Sequence, residues 1–133
     1  MSKKFTHEIK VYYEDTDTGG VVYYANYLKF LERARTEMIH SFGLSNVKLF
    51  NNYKTSIIVK SCNVEYKKTA KLEDKLKIFS SILNIKKASF TMTQYIKRDN
   101  ELILTSKTQL VTVDPEGKPI KISSELLKHL NKF

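Results

Sequence analysis

An α+β fold, with one long helix laid across an antiparallel sheet, is what this 133-residue sequence predicts. Three features carry that expectation. Apolar residues recur with helical spacing over one long stretch, Tyr27 to Phe42. Four strand-like runs then follow one another: Ser56–Lys67, Asp74–Ile85, Ser89–Arg98 and Leu102–Val113. The last three are joined by Lys86-Lys87 and by Asp99-Asn100-Glu101, links short enough for hairpins. The length suits one domain, residues 1–133, with no repeat, low-complexity segment or internal linker.

Taken in order, Phe5 to Tyr13 alternates, with Phe5, His7, Ile9, Val11 and Tyr13 on one side, as in a half-buried strand. The run Asp15-Thr16-Asp17-Thr18-Gly19-Gly20 ends it with turn chemistry. In the helix that follows, Tyr27, Phe30, Leu31, Ala34, Met38 and Phe42 share a face, and Lys29, Glu32, Arg33, Thr36, Glu37 and His40 lie opposite. Arg33 and Glu37, four apart, are spaced to pair. Asn26 is the expected N-cap and Gly43 the residue just past the C-terminus. Ser45 to Thr55 reads as a polar loop with one helical turn around Val47–Phe50. Past the last strand, Asp114-Pro115-Glu116-Gly117 makes a turn, and Ser123 or Ser124 caps a short C-terminal helix with Leu126, Leu127 and Leu130 inward. One helix covers only one face of the sheet, so the open edges and abundant apolar side chains imply that the sheet continues through a partner subunit.

Composition excludes several function classes. No apolar run is long enough to span a bilayer, so an integral membrane protein is not expected. Polar Thr6-His7-Glu8 stands where a signal peptide needs its apolar core, and the expected location is cytoplasmic. The single Cys62 allows no internal disulfide and no cysteine-rich zinc site; it is expected to be a buried core thiol. His7, His40 and His129 show no ligand spacing, so no metal is expected. Asp15 and Asp17 lack the later ligands of a calcium loop, Gly19-Gly20 lacks the rest of a phosphate loop, and no serine sits at a nucleophile elbow.

The net charge of +9 is lopsided: residues 1–66 carry 9 Lys/Arg against 7 Asp/Glu, residues 67–133 carry 14 against 7. That suits either an anionic partner or an ordinary lysine-rich surface. Only Arg33, Arg35 and Arg98 are arginines, and Phe90 and Tyr95 fall on opposite faces of their strand, so specific nucleic-acid binding is not expected.

What remains is carboxylate chemistry, or none. Glu14, Asp15 and Asp17 either form a solvated capping turn or present a carboxylate to the positive end of a buried helix. There, free backbone N–H groups would polarise a substrate carbonyl, and a carboxylate acting as base or nucleophile would suffice to hydrolyse an activated acyl group.

The run Tyr13-Glu14-Asp15-Thr16-Asp17-Thr18-Gly19-Gly20-Val21-Val22-Tyr23, with Asn26-Tyr27, Arg33 and Arg35, resembles the signature of hotdog-fold acyl-CoA thioesterases. It is similar in particular to the YbgC-type branch of the 4-hydroxybenzoyl-CoA thioesterase family, and the resemblance spans essentially the whole chain. It implies a hotdog fold, an antiparallel sheet wrapping one long helix, and an enzyme that needs no cofactor. It implies Asp17 as base or nucleophile and the Tyr24 backbone N–H as oxyanion donor; many YbgC-type proteins have His at this position. Asp15 and Thr16 would shape the turn with Gly20, and Asn26 and Tyr27 the helix start. Ser61-Cys62-Asn63 falls where the family's second strand passes the site. Val59, Lys60 and Ser61 would line the pantetheine or acyl channel. Lys86 and Lys87 match a basic turn near the nucleotide, or are a solvated hairpin tip. Arg35 is expected to pair with a carboxylate. The implied partners are acyl-CoA as substrate and a second copy in a homodimer, with such dimers often joined into a tetramer. A non-catalytic module that binds acyl groups or acyl carrier protein is the alternative.

Overall fold

The structure is a computed structural model that describes residues 3–133. Its elements are β1 (Phe5–Lys10), a 3-10 turn (Tyr13–Asp15), α1 (Asn26–Ser41), α2 (Asn46–Tyr53), β2 (Ser56–Tyr66), β3 (Lys75–Ile85), β4 (Ser89–Arg98), β5 (Glu101–Val113) and α3 (Ser124–Leu130). The strands form one antiparallel sheet in the order β1-β3-β4-β5-β2.

The helix lies on the sheet because the two periodicities match. On β4, Phe90, Met92, Gln94 and Ile96 are buried, while Thr91, Thr93, Tyr95 and Lys97 on the other face are only partly covered. Tyr27, Phe30, Leu31, Ala34, Met38 and Ile39 of α1 are buried against the covered face. The core has two lobes. One gathers Tyr27, Phe30, Leu31 and Ala34 with Leu76, Ile78, Ile96 and Leu104. The other gathers Met38, Phe42, Phe90, Met92 and Leu110 under α3, which contributes Leu126 and Leu130. Gly43 adopts a φ of +79°, the left-handed conformation that ends α1 cheaply without a Cβ.

Several local expectations need correction. β1 stops at Lys10, because Val11 leaves the ladder to exchange backbone hydrogen bonds with Asp74 and Glu73. Asn26 is the first residue of α1 and not its cap; Ala25 holds the cap position without a side-chain bond. Residues 46–53 form a two-turn helix, capped by the Ser45 hydroxyl, which accepts from the Lys48 N–H at 3.0 Å. Glu37 lies 3.7 Å from His40 and makes no ion pair with Arg33.

β2 is an edge strand. It pairs with β5 on one side and is largely exposed, Cys62 included, which is therefore not a core thiol. Lys60 sits unpaired at a bulge between Val59 and Ser61. No helix among the described residues is long and apolar enough to cross a membrane.

Candidate active site

The acidic turn is built by short-range hydrogen bonds that fix each residue differently. The Asp15 carboxylate is buried and accepts from the Tyr12 N–H at 2.9 Å, closing the 3-10 turn on itself. Its backbone carbonyl accepts twice, from the Tyr23 N–H at 3.0 Å and from the Asn26 Nδ2 at 2.9 Å. Asn26 thus ties the first turn of α1 to the acidic segment. Thr16 faces Val22 in an isolated antiparallel bridge, and the Asp17 N–H donates to Val21 at 2.9 Å. The chain reverses through Asp17-Thr18-Gly19-Gly20, closed by the Gly20 N–H on the Asp17 carbonyl at 3.1 Å. Gly20 takes a φ of +79° there.

Asp17 itself is exposed. Its Oδ1 accepts from the Gly19 N–H at 2.8 Å, which orients the carboxylate. Its Oδ2 has no hydrogen-bond partner among the described residues. A Cβ at Gly19 would come within 3.3 Å of Oδ1, so the small residue also leaves this carboxylate its room.

The returning strand is clamped from the other side by the loop before β3. Val22 donates to Ala70 at 2.9 Å, Leu72 donates to Gly20 at 3.2 Å, and Val21 bridges to Lys71. Ala70 in turn donates to the buried Tyr27 hydroxyl at 2.9 Å. Burial pushes the Tyr27 phenol above its ordinary pKa, so it stays neutral at pH 7. The loop is locked to the sheet by Asp74. Burial alone would raise that carboxyl, but the Lys71 N–H and the Arg98 guanidinium, at 2.8 and 2.7 Å, hold it below its ordinary value.

At the start of α1 the backbone N–H groups of Tyr24 and Ala25 donate to no acceptor among the described residues. They are orphan donors of a helix N-terminus, next to a turn that carries a carboxylate. Around them stand the exposed rings of Tyr23, Tyr24 and Tyr66. Tyr24 and Tyr66 meet edge-on with centroids 6.3 Å apart, and the Tyr66 hydroxyl donates to the Tyr24 carbonyl at 3.3 Å. Tyr66 was not anticipated; it belongs to β2, and only the strand order brings it here.

The remaining expected site residues lie elsewhere. Val59 lines a cavity of about 260 Å³ between α1, β2, β4, β5 and α3; Lys60 and Ser61 are exposed at the bulge beside it. Lys86 and Lys87 are exposed in the β3–β4 hairpin. Because β1 ends opposite Lys75 and the hairpin follows Ile85, these lysines sit at the far end of the sheet from Asp17. That is roughly 30 Å along β3 at about 3.3 Å per residue. The cavity lies at the same far end, beside Phe90 and Leu110. One chain therefore does not bring Asp17 together with Val59, Lys86 or Lys87.

Arg35 also lines that cavity. Its Nη1 donates to the Gln94 Oε1 at 3.1 Å, so its partner is a neutral amide and not the expected carboxylate. Gln94 is a polar residue in the buried register of β4, a break in the apolar alternation that the sequence does display. Burial pushes the Arg35 pKa below its ordinary value, with the nearby Cys62 and Glu32 acting the other way.

Known proteins share this architecture. Residues 11–130 match the family model described as the thioesterase-like superfamily. The acyl-CoA thioesterase YbgC of Haemophilus influenzae is 33% identical over 127 residues, 95% of this chain and 93% of its own. The acyl-CoA thioester hydrolase YbgC of Escherichia coli O6:H1 is 40% identical over 112 residues, 84% of this chain and 83% of its own. A solved structure of a probable thioesterase from Bartonella henselae superposes with a TM-score of 0.88 at 30% identity, covering 91% of this chain and 100% of that one. With the strand order, the long helix and these matches agreeing, the chain belongs to the thioesterase-like superfamily, within the YbgC branch of the hotdog-fold acyl-CoA thioesterases.

Proposed function

We propose that this chain hydrolyses acyl-CoA thioesters to free CoA and a carboxylic acid, with Asp17 and the backbone N–H of Tyr24 as the reacting pair. The observation that carries this is a carboxylate with one oxygen oriented by Gly19 and the other free, on a turn leading into unpaired helix N-terminal amides. The Tyr24 N–H stabilises the oxyanion as the thioester carbonyl is attacked. Asp17 either takes a proton from the attacking water or attacks the carbonyl itself. In both routes the C–S bond breaks, the thiolate leaves as CoA, and water supplies the oxygen of the acid. Asp15, Thr16, Gly20, Asn26 and Tyr27 hold this geometry.

The working unit is a homodimer joined through the β2 edges, with pairs of dimers as a further level. β2 is the exposed edge that needs a partner, and Ile58 and Val59 on it are both about half exposed. A two-fold axis there reverses the sheet direction. The far end of one subunit then meets the Asp17 end of the other, supplying the cavity beside Val59, Lys60 and Ser61 for the acyl group. Lys86 and Lys87 of the partner subunit fall on the same side, where they attract the CoA phosphates.

Acyl-CoAs from short to long and aromatic, with released CoA thiol as readout, test the activity. Turnover well above the uncatalysed rate on at least one of them is expected. Saturable binding with hydrolysis at background throughout would mean that the protein holds acyl groups, or acyl carrier protein, without cleaving them.

A further inference from the structure

The cavity beside Val59 has a feature that simple alkyl binding does not require. Most of its wall is apolar: Met38, Ile57, Phe90, Met92, Leu110 and Leu130 among others. At about 260 Å³ it exceeds the roughly 150 Å³ that accommodates benzene in an apolar protein cavity. Into that wall is set the guanidinium of Arg35, a permanent cation.

Arg35 is held in place but not neutralised. The Gln94 oxygen accepts from Nη1, and that amide cannot turn away. Its own Nε2 is committed to the Leu31 carbonyl at 3.1 Å and the Ser80 hydroxyl at 3.0 Å. No other hydrogen bond and no ion pair engages the guanidinium among the described residues. The other polar residues in the wall are Glu32, Thr36 and Asn46. The Glu32 Oε2 accepts from the Thr36 hydroxyl at 2.7 Å, and Glu32 is exposed. A fixed, partly desolvated fork with unused donors matches a carboxylate in geometry and charge.

We infer that Arg35 selects acyl groups that carry a carboxylate at their far end, which the cavity takes up with the apolar chain along its wall. This rests on the cavity being the acyl pocket of the thioesterase.

The test uses two matched pairs on the full-length protein. Calorimetric titration compares the monoamide of hexanedioate with hexanamide, so that only the far-end carboxylate differs, and steady-state kinetics compares hexanedioyl-CoA with hexanoyl-CoA. A charge-assisted bidentate contact predicts a preference of about tenfold or more for the far-end carboxylate in both. R35M abolishes the preference and R35K retains part of it, with folding checked by circular dichroism. If R35M does not fold, the wild-type ratios and R35K decide. Equal affinities and equal kcat/KM in the wild type, or a preference that survives R35M, overturn the role of Arg35 while leaving the thioesterase reading intact. Preferential binding of the hexanedioate monoamide without turnover of either thioester supports Arg35 and counts against the hydrolase.

Discussion

Replacing Tyr27 with Phe tests how the buried scaffold supports the acidic turn. The side chain is 2% exposed, and its hydroxyl accepts the Ala70 N–H at 2.9 Å, with Ala70 fully buried. Phe keeps the ring packing, including the edge-on contact with Phe30 at 6.0 Å, so only the hydrogen bond is lost. What it leaves is a buried amide without an acceptor, costing about 1–3 kcal/mol. Tm should therefore fall by roughly 3–10 °C for a chain of this size. Urea unfolding at one fixed protein concentration measures the loss; concentration must be held because the proposed dimerisation would add to apparent stability. The same amide segment accepts from Val22 and pairs with Val21, so loosening it shifts the turn that carries Asp17. A fall of about tenfold in kcat with a smaller change in KM is expected, since misplacement by well under 1 Å is costly in a positioned site. A variant within 0.5 kcal/mol of wild type and of equal kcat would show that the clamp does not hold the turn.

Three further outcomes follow from the same geometry. Exchanging Lys86 and Lys87 together for Glu should raise KM for CoA thioesters about tenfold at low salt, with kcat nearly unchanged and the effect shrinking as salt is added; steady-state kinetics at two ionic strengths reads this. Asp74→Asn should cost about 1–2 kcal/mol at pH 7 by weakening the bonds from Arg98 and Lys71. Because the folded Asp74 carboxyl is depressed, its contribution is present above the unfolded pKa and lost as pH falls through the folded one. The wild type should lose this increment from about pH 4–5 downward, and the Asn variant should not. Ile58→Asp should dissociate the proposed dimer in sedimentation velocity without changing the circular dichroism spectrum; an unchanged sedimentation coefficient matching a dimer would place the subunit boundary away from β2.

The strands and the long helix were legible because their periods are clean. β4 begins and ends where its alternation does, and the buried face of α1 is the one its spacing marks. Legibility ended where one side chain serves a distant segment. Asn26 has the chemistry of a cap but spends it on the Asp15 carbonyl, eleven residues away, because the acidic turn folds back over the helix start. α2 reads from the sequence as a single turn because Asn46, Asn51 and Asn52, three of its eight residues, favour turns over helix interiors. Cys62 is expected inside because strand order is invisible in one sequence; on an open edge strand the residue stays exposed even though its Sγ lies 3.3 Å from the buried Thr108 Oγ1. At the site, the acidic turn and its glycines were readable as a turn. The partnership of Tyr66 with Tyr24, and of Arg35 with Gln94, depends on pairings between elements dozens of residues apart.

Asp17→Asn tests the proposed role of the Asp17 carboxylate with the least disturbance. Asn still offers an oxygen to the Gly19 N–H, so the turn and Tm should be preserved. It is neither a base nor a competent nucleophile, and kcat on the best thioester should fall by about a thousandfold or more. A folded Asp17→Asn protein that releases CoA at the wild-type rate would rule out Asp17 as base or nucleophile.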